Sequence, residues 1–558
     1  MIDRPGAGEL LFLPLGGCGE IGMNLNLYGH AGKWLMIDLG ITFGNEATPG
    51  IDIIMPDPSF IVERRADLVG LVLTHAHEDH IGAVPYLWPR LRCPIYATPF
   101  TAAVLRRKLA EADLLEDAEI TEIPLSGRFS VGPFEVELVT ITHSIPEPNA
   151  VILRTPLGAV LHTGDWKLDP DPVIGPITDE AALRRLGEEG VLAMICDSTN
   201  VLVEGSSGSE AEVRESLEAL IGELDQRIAV ACFASNLARI ESLTRAAMAH
   251  GRHVGLVGRS LRRMVEAAQE TGYLTDLPEF VDEGDAGHLP RERVLMICTG
   301  SQGEPRSALA RIARQEHPNV HLDAGDAVIF SSRIIPGNEH AIGELHNMLI
   351  RRGIRIVTER DHFVHVSGHP ARDDLAEMYR WVKPRLAVPV HGELRHLRAH
   401  VALAESCQVR QALLAENGAI VRLAPGPAEI VGEAPAGRLG LDGSRLAPLE
   451  GAALRARQRM AFGGLAVAAL ALATTGELLA DPQVSLHGLP ETAEDGTAVA
   501  AEATAAVRSA LAAMTVGKRT DDAAVKETAR LALRRTIQSL CGKKPQITVH
   551  LVRLPGLQ

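Results

Sequence analysis

The sequence predicts an α/β architecture in several domains, and three observations predict it. Short apolar runs in the first part end in His and Asp, a middle stretch alternates helix and strand, and a small α+β tail follows a segment rich in Pro, Gly and Ala. At 558 residues the chain is too long for one hydrophobic core, so about two to four domains are expected.

Taken in order, LLFLPLGG, NLNLYG, KWLMIDLG and LVGLVLTHAH read as strands, because each short apolar run is bounded by Gly, Asn or Asp. FEVELVTITH, AVILRTPLG and AVLHTGDWK continue the series. The grammar then changes. Helices are expected over about 209–224, from Leu237 and near Leu261, alternating with strands at RIAVACFAS, HVGLVG, VLMICTGS and DAVIFSS, with a further helix over about 339–352. Strands resume at IRIVTE, FVHVSGH and LAVPVHGE, where ligand-type residues reappear, so the middle reads as an insertion. PGPAEIVGEAPAG reads as a linker. Beyond it come a strand at LAVAALALAT, helices over about 502–515 and 521–540, and a closing strand, QITVHLVRL. The expected boundaries are 1–205 and 355–425 for the first domain, 206–354 for the insertion, 426–451 for the linker and 452–558 for the tail.

A net charge of -16 repels a polyanion unless basic residues gather locally or metal cations sit in the site. Basic clusters stand at Arg106, Arg107 and Lys108, at Arg259, Arg262 and Arg263, and at Arg351, Arg352, Arg355 and Arg360; they fit either a positive track or a solvated face. Aromatic residues are only 4%, which disfavours extensive base stacking. Seven cysteines without a CxxC pair read as reduced thiols, and Met1 to Gly8 carries no secretory pattern, so a cytoplasmic location is expected. The apolar stretch near Leu465 is too short to span a membrane.

The strongest chemical signal is THAHEDH. Residues two apart in an extended segment point the same way, so His75 and His77 can chelate one cation while the following turn directs Asp79 and His80 toward a second. Imidazole and carboxylate suit zinc or manganese, and two such ions about 3.5 to 4 Å apart can share and activate a water. Solvated loop histidines are the plain alternative, disfavoured by four ligand-type residues directly after a buried strand. His143, Asp165 and His391 stand at other strand ends; His162 reads as structural.

HxHxDH followed by a single His and then an Asp resembles the metallo-β-lactamase superfamily, here in His75, His77, Asp79, His80, His143 and Asp165. DSTN at Asp197, HVSGH ending at His369, and PVHGE at His391 resemble motifs A, B and C of the β-CASP nucleases. GGCGEIGMN, THSIPE, HTGDWKLD, FASN, TGSQGEP and IPGNE are similar to the bacterial ribonuclease J family. The resemblance implies an αββα sandwich with an inserted α/β β-CASP domain and a small C-terminal α+β domain.

It also implies a site. One divalent ion would be held by His75, His77 and His143 and the other by Asp79, His80 and His391, with Asp165 bridging; zinc is expected, with manganese or magnesium as alternatives. Asp79 is then catalytic as well as a ligand, and Asp197 with His369 forms an acid/base pair that protonates the leaving 3' oxygen. His365, Ser367, Gly368 and His369, with Ser235 and Asn236 of FASN, would receive an RNA phosphate, including a 5' monophosphate. A glycine turn and ordinary polar loops are the plain alternative for these.

The expected activity is hydrolysis of single-stranded RNA, 5' to 3' from a monophosphorylated end and also internally, in RNA maturation and decay. A homodimer or homotetramer through the C-terminal domain and no membrane partner are expected. Rival readings are a small-ester or thioester hydrolase, a DNA-directed nuclease and a noncatalytic RNA-binding scaffold.

Overall fold

The computed structural model describes residues 4–555. They fall into two compact units, one running up to Thr42 and resuming over Met55–Gly437, the other comprising Phe43–Ile54 and the chain from Arg438 onward.

Two large sheets build the first unit. One has the strand order Glu429–Glu433, Ala419–Ala424, Leu10–Gly16, Leu25–His30, Lys33–Ile37, Leu68–Val72, Ile95–Ala97, Ile120–Glu122. The other runs Arg128–Val131, Phe134–Thr140, Asn149–Thr155, Gly158–His162, Val191–Asp197, Leu386–Val390, Gln411–Ala412. Period-two alternation decides how they pack. Val136, Leu138, Val151, Leu153, Val160, Ala193 and Ile195 share a core with Leu10, Phe12, Tyr28, Leu35, Ile37 and Val72 of the first sheet. Their neighbours Val139, Ile152, Leu161, Met194 and Cys196 point the other way, onto Leu183, Leu186, Leu375, Met378 and Leu403 of three helices. On the far side of the first sheet Trp34 meets Phe60 edge-on at 5.4 Å between ring centres. The result is sheet on sheet with helices outside.

The inserted stretch forms a separate five-stranded parallel sheet in the order His253–Val257, Val294–Cys298, Ile228–Ala231, Ala327–Phe330, Arg355–Val357. Helix Glu210–Gly222 starts on a capping box, with Ser209 accepting at the helix start and Glu212 reaching back to the Ser209 N–H. Helix Leu237–Ala249 is capped by Asn236, whose Oδ1 accepts from Arg239 N at 3.0 Å.

Two sequence expectations change. No strand forms at FVHVSGH: the Val364 carbonyl is taken by side chains, Arg239 Nη1 at 2.7 Å and Ser331 Oγ at 2.8 Å, instead of by a sheet neighbour. The stretch 426–451 is not a bare linker. Glu429–Glu433 pairs antiparallel with Ala419–Ala424, and Arg438–Asp442 pairs with Arg445–Pro448.

In the second unit, strand Leu465–Ala473 lies parallel to Gln546–Leu554 and antiparallel to Gln483–His487. Helices Val499–Ala512 and Asp522–Cys541 cover one face, packing Val499, Val507, Val525, Leu533 and Ile537 on Ala466, Ala468 and Leu470. No helix among the described residues is long and apolar enough to cross a membrane. All seven cysteines are free.

Candidate metal centre

Parallel pairing gathers the ligand-type residues at strand C-termini, the edge where α/β sheets place their sites. Asp197 lies opposite Val390, one residue before His391, and His162 lies opposite Ile195, so Asp165 emerges on the same edge. In the first sheet Ile37 lies opposite Val72, which places Asp38 beside Thr74 at the start of THAHEDH.

Three groups result, each with ligand atoms within 4.8 Å of one another: His75, His77 and His143; Asp79, His80, Asp165 and His391; and Asp165, Asp197, His369 and His391. His77 Nδ1 is 3.0 Å from both His75 Nε2 and His143 Nε2. Asp165 Oδ2 stands between the first two groups, 3.1 Å from His80 Nε2 and 4.0 Å from His143 Nε2. His391 Nε2 lies 3.0 Å from Asp79 Oδ2.

Burial sets the protonation. It pushes the pKa of His75 and His143 well down and that of His77 to about 4, aided for His75 and His143 by neighbouring imidazoles. Neutral rings converging on one point offer lone pairs with no proton to share, which suits a cation. Burial also opposes charge on His80 and His391, but Asp165 and the other carboxylates beside them outweigh it and raise both well above the usual histidine value. Burial likewise works against ionised Asp79 and Asp165, yet facing histidines hold both below the usual carboxylate range. A donor set of neutral imidazoles and ionised carboxylates fits hard-to-borderline divalent ions.

The orienting partners are visible too. His80 Nδ1 donates to Asp38 Oδ2 at 2.7 Å, and Asp38 also accepts from Thr74 N and Oγ1, each at 2.8 Å. His143 Nδ1 donates to the Gly368 carbonyl at 2.5 Å. His391 Nδ1 meets Thr199 Oγ1 at 2.8 Å. Such partners fix which ring nitrogen faces the ion. Asp38 and His391 have φ of 61° and 52°, in the left-handed region that side chains seldom occupy. A Cβ on Gly40 would lie 1.6 Å from the Asp79 carbonyl oxygen, so only glycine lets this loop approach.

Beside the centre, His369 Nδ1 donates to Asp197 Oδ2 at 2.8 Å, while Asp197 Oδ1 accepts from Thr199 N and Oγ1. Burial disfavours the His369 cation, but Asp197 and Asp165 outweigh it and the pKa is raised. Ser367 Oγ accepts from Asn200 Nδ2 at 2.7 Å and from His369 N at 3.2 Å.

Among the described residues, His365, Ser235 and Asn236 form no side-chain hydrogen bond to the groups above. His365 is neutral because burial, then Arg239 and Lys167, push its pKa down, and its Nδ1 has no hydrogen-bond partner. Asn236 is 4% exposed and engaged in helix capping and with Glu210, so its side chain is not presented to the centre; Ser235 is half-buried. His162 is bonded to Tyr28 Oη at 2.9 Å. Asp38, Thr199 and Asn200 are not singled out by the sequence, although each follows a buried strand.

Two of the three basic clusters are largely neutralised. Arg106 pairs with Glu122, Arg107 with Glu270, Lys108 with Glu78, Arg262 with Asp282 and Glu283, and Arg263 with Glu111, while Arg352 bonds backbone carbonyls. For these residues the solvated-face reading fits better than a track.

Comparison with known proteins gives four family matches. They are the metallo-beta-lactamase superfamily over residues 23–223, the ribonuclease J beta-CASP domain over 225–349, the Zn-dependent metallo-hydrolase RNA specificity domain over 353–412 and the ribonuclease J C-terminal domain over 452–554. The chain is 46% identical over 550 residues to ribonuclease J of Sinorhizobium meliloti, covering 98% of each. It is 38% identical over 551 residues to that of Mycolicibacterium smegmatis, again 98% of each, and 39% identical over 464 residues to that of Thermus thermophilus, covering 82% of this chain and 81% of that one. A crystal structure of a protein of unknown function from Enterococcus faecalis superposes with TM-score 0.52 at 16% identity, over 74% of this chain and all of that one; the likeness is one of fold.

Proposed function

The chain belongs to the ribonuclease J family, and on that premise we propose that it is a metal-dependent ribonuclease that hydrolyses phosphodiester bonds of single-stranded RNA. Its fold is the metallo-β-lactamase sandwich with an inserted β-CASP domain and a C-terminal domain. We assign residues 1–205, apart from Phe43–Ile54, and 355–433 to the sandwich, 206–354 to the insertion and 452–558 to the C-terminal domain. The reading includes 5' to 3' exonuclease action favoured by a 5' monophosphate, internal cleavage, and a role in RNA maturation and decay in the cytoplasm. Assembly as a homodimer or homotetramer through the C-terminal domain is part of it.

One observation carries the proposal: seven ligand-type side chains from distant strand ends meet at a single centre, with a His–Asp pair against it. His75, His77 and His143 would hold one divalent ion and Asp79, His80 and His391 the other, with Asp165 between them and zinc the expected metal. When bound, such ions supply Lewis acidity at the phosphoryl oxygen and lower the pKa of water.

The protein's own groups do the rest. Asp197, locked by Thr199, keeps a negative charge against His369 Nδ1 and so favours the protonated ring. The His369 Nε2 proton is then available to the leaving 3' oxygen as its bond to phosphorus breaks, which leaves a 3' hydroxyl and a 5' phosphate. Ser367 and the backbone of HVSGH, held by Asn200 and, at the preceding Val364, by Arg239, line the approach to this proton.

The test is cleavage of end-labelled RNA and matched DNA bearing 5' monophosphate, triphosphate or hydroxyl. RNA cleavage fastest with the monophosphate, and lost in Asp79→Ala and His77→Ala, is expected. Full activity in those variants, or hydrolysis of esters with none of RNA, refutes the assignment.

A further inference from the structure

Outside the metal centre the feature that stands out is a cavity of about 660 Å³ in the second unit, between helix Ala452–Gly463, the last turns of helix Asp522–Cys541 and the start of strand Gln546–Leu554. Its walls carry Arg455, Arg459, Arg534 and Lys544, with Phe462 and Gln458, and no acidic residue. Spacing explains the helix's share: residues 455, 458, 459 and 462 recur at three to four and so lie on one face.

Pairing is selective here. Arg457, on the same helix, is bonded to Asp442 at 2.6 and 2.8 Å, and Arg530 is bonded to Glu527. By contrast, among the described residues Arg455, Arg459, Arg534 and Lys544 have no ion pair or side-chain hydrogen bond. From Arg530 to Leu554 the sequence contains no Asp or Glu, nor does it from Ala452 to Gly476. Concentrated, unpaired positive charge on a chain of net charge -16 repels itself unless an anion is bound.

The aromatic is equally unusual. Phe462 is 84% exposed, the most open large apolar side chain among the described residues. It is held in place. Lys543 Nζ lies 5.4 Å from the ring centre and donates to the Phe462 carbonyl at 3.2 Å. Gly463, which follows, is buried where a Cβ would stand 2.7 Å from the Lys544 carbonyl oxygen, so the helix end seats directly on the strand start. The cavity is thus a built feature with cations on its walls and a flat apolar face at its rim.

We propose that this cavity is an accessory binding site for single-stranded RNA, the guanidinium and ammonium groups meeting successive phosphates and a base stacking on Phe462. The proposal rests on the reading of the chain as an RNA-cleaving enzyme. A second copy of the chain is the competing occupant. A self-complementary interface there sets arginines against arginines, whereas a strand of phosphates and bases matches both features at once.

The experiment uses the full chain. Affinity for a long unstructured RNA is measured by fluorescence anisotropy across a salt series for wild type, Phe462→Ala and the double variant Arg459→Gln/Arg534→Gln. Sedimentation and cleavage of a 5'-monophosphorylated trinucleotide are followed in parallel. Phe462→Ala should weaken long-RNA binding about fivefold or more. The double variant should lower the salt slope by about 0.7 for each phosphate that is no longer neutralised. Trinucleotide cleavage should stay at the wild-type rate. Unaltered long-RNA affinity and salt slope in both variants overturn the accessory site while leaving the ribonuclease reading intact. So does a loss of affinity that only follows dissociation of copies and that dilution of wild type reproduces. Wild type that neither binds nor cleaves RNA removes the functional reading, and the accessory site with it.

Discussion

His143 Nδ1 donates to the carbonyl oxygen of Gly368 at 2.5 Å, joining residues 225 positions apart. The bond leaves His143 Nε2 toward His77 and ties the HVSGH turn to the candidate metal centre. A Cβ at Gly368 would lie 2.7 Å from the His143 ring, so this glycine is set by a close approach.

Gly368→Ala should therefore displace His143 and lower divalent-ion affinity about tenfold to hundredfold. Titration with zinc against a competing chelator reads this, with circular dichroism showing the fold retained. Unaltered affinity would mean that His143 does not depend on this carbonyl.

Asp38 orients His80 without facing the centre itself. Asp38→Asn keeps the size and removes the charge, and metal affinity should again fall about tenfold to hundredfold. Cleavage at saturating metal should recover much of the wild-type rate, which separates orientation from chemistry.

His369 carries a raised pKa because Asp197 and Asp165 outweigh the effect of burial. The acid form is present below that pKa, so cleavage should fall as pH rises through it. Asp197→Asn lowers the pKa, and the alkaline limb should move to lower pH; His369→Ala should cost about 10²- to 10⁴-fold in kcat below the His369 pKa and progressively less above it. Rates on one labelled RNA across a pH series decide it, and an alkaline limb unmoved by Asp197→Asn contradicts the pair.

Metal uptake should release protons. His80 and His391 are held protonated near neutral pH by the carboxylates around them, and an imidazole must give up its proton to ligate. Calorimetry in buffers of different ionisation enthalpy measures the release, and affinity should weaken as pH falls. Binding without proton release contradicts a role for these two rings as ligands.

Arg239 and Glu210 form a fully buried pair at 3.0 Å, and Arg239 also bonds Ser331 and the Val364 carbonyl. Arg239→Ala leaves Glu210 uncompensated and should destabilise by about 3–5 kcal/mol. Urea unfolding measures this, and loss of the Val364 anchor should also slow cleavage.

The candidate ligands were legible because His and Asp crowd into a few positions after buried strands, a pattern that solvated loops seldom produce. Their supports were not. Asp38, Thr199 and Asn200 are common residues in common places, and only convergence in space shows that the first two hold the rings of His80 and His391 and the third holds Ser367 and the His369 carbonyl. The FVHVSGH segment alternates like a strand, yet its Val364 carbonyl pairs with Arg239 and Ser331, partners that local sequence cannot announce. Likewise the Arg106–Lys108 cluster shows its charge in sequence but not its neutralisation, since Arg107 meets Glu270 163 residues away.

Anomalous diffraction at the zinc edge, on crystals of protein prepared without chelator, tests the dinuclear centre most directly. Two peaks are expected, one among His75, His77 and His143 and one among Asp79, His80 and His391, with Asp165 touching both. A single peak, or none after zinc is added, contradicts the centre on which the proposed chemistry depends.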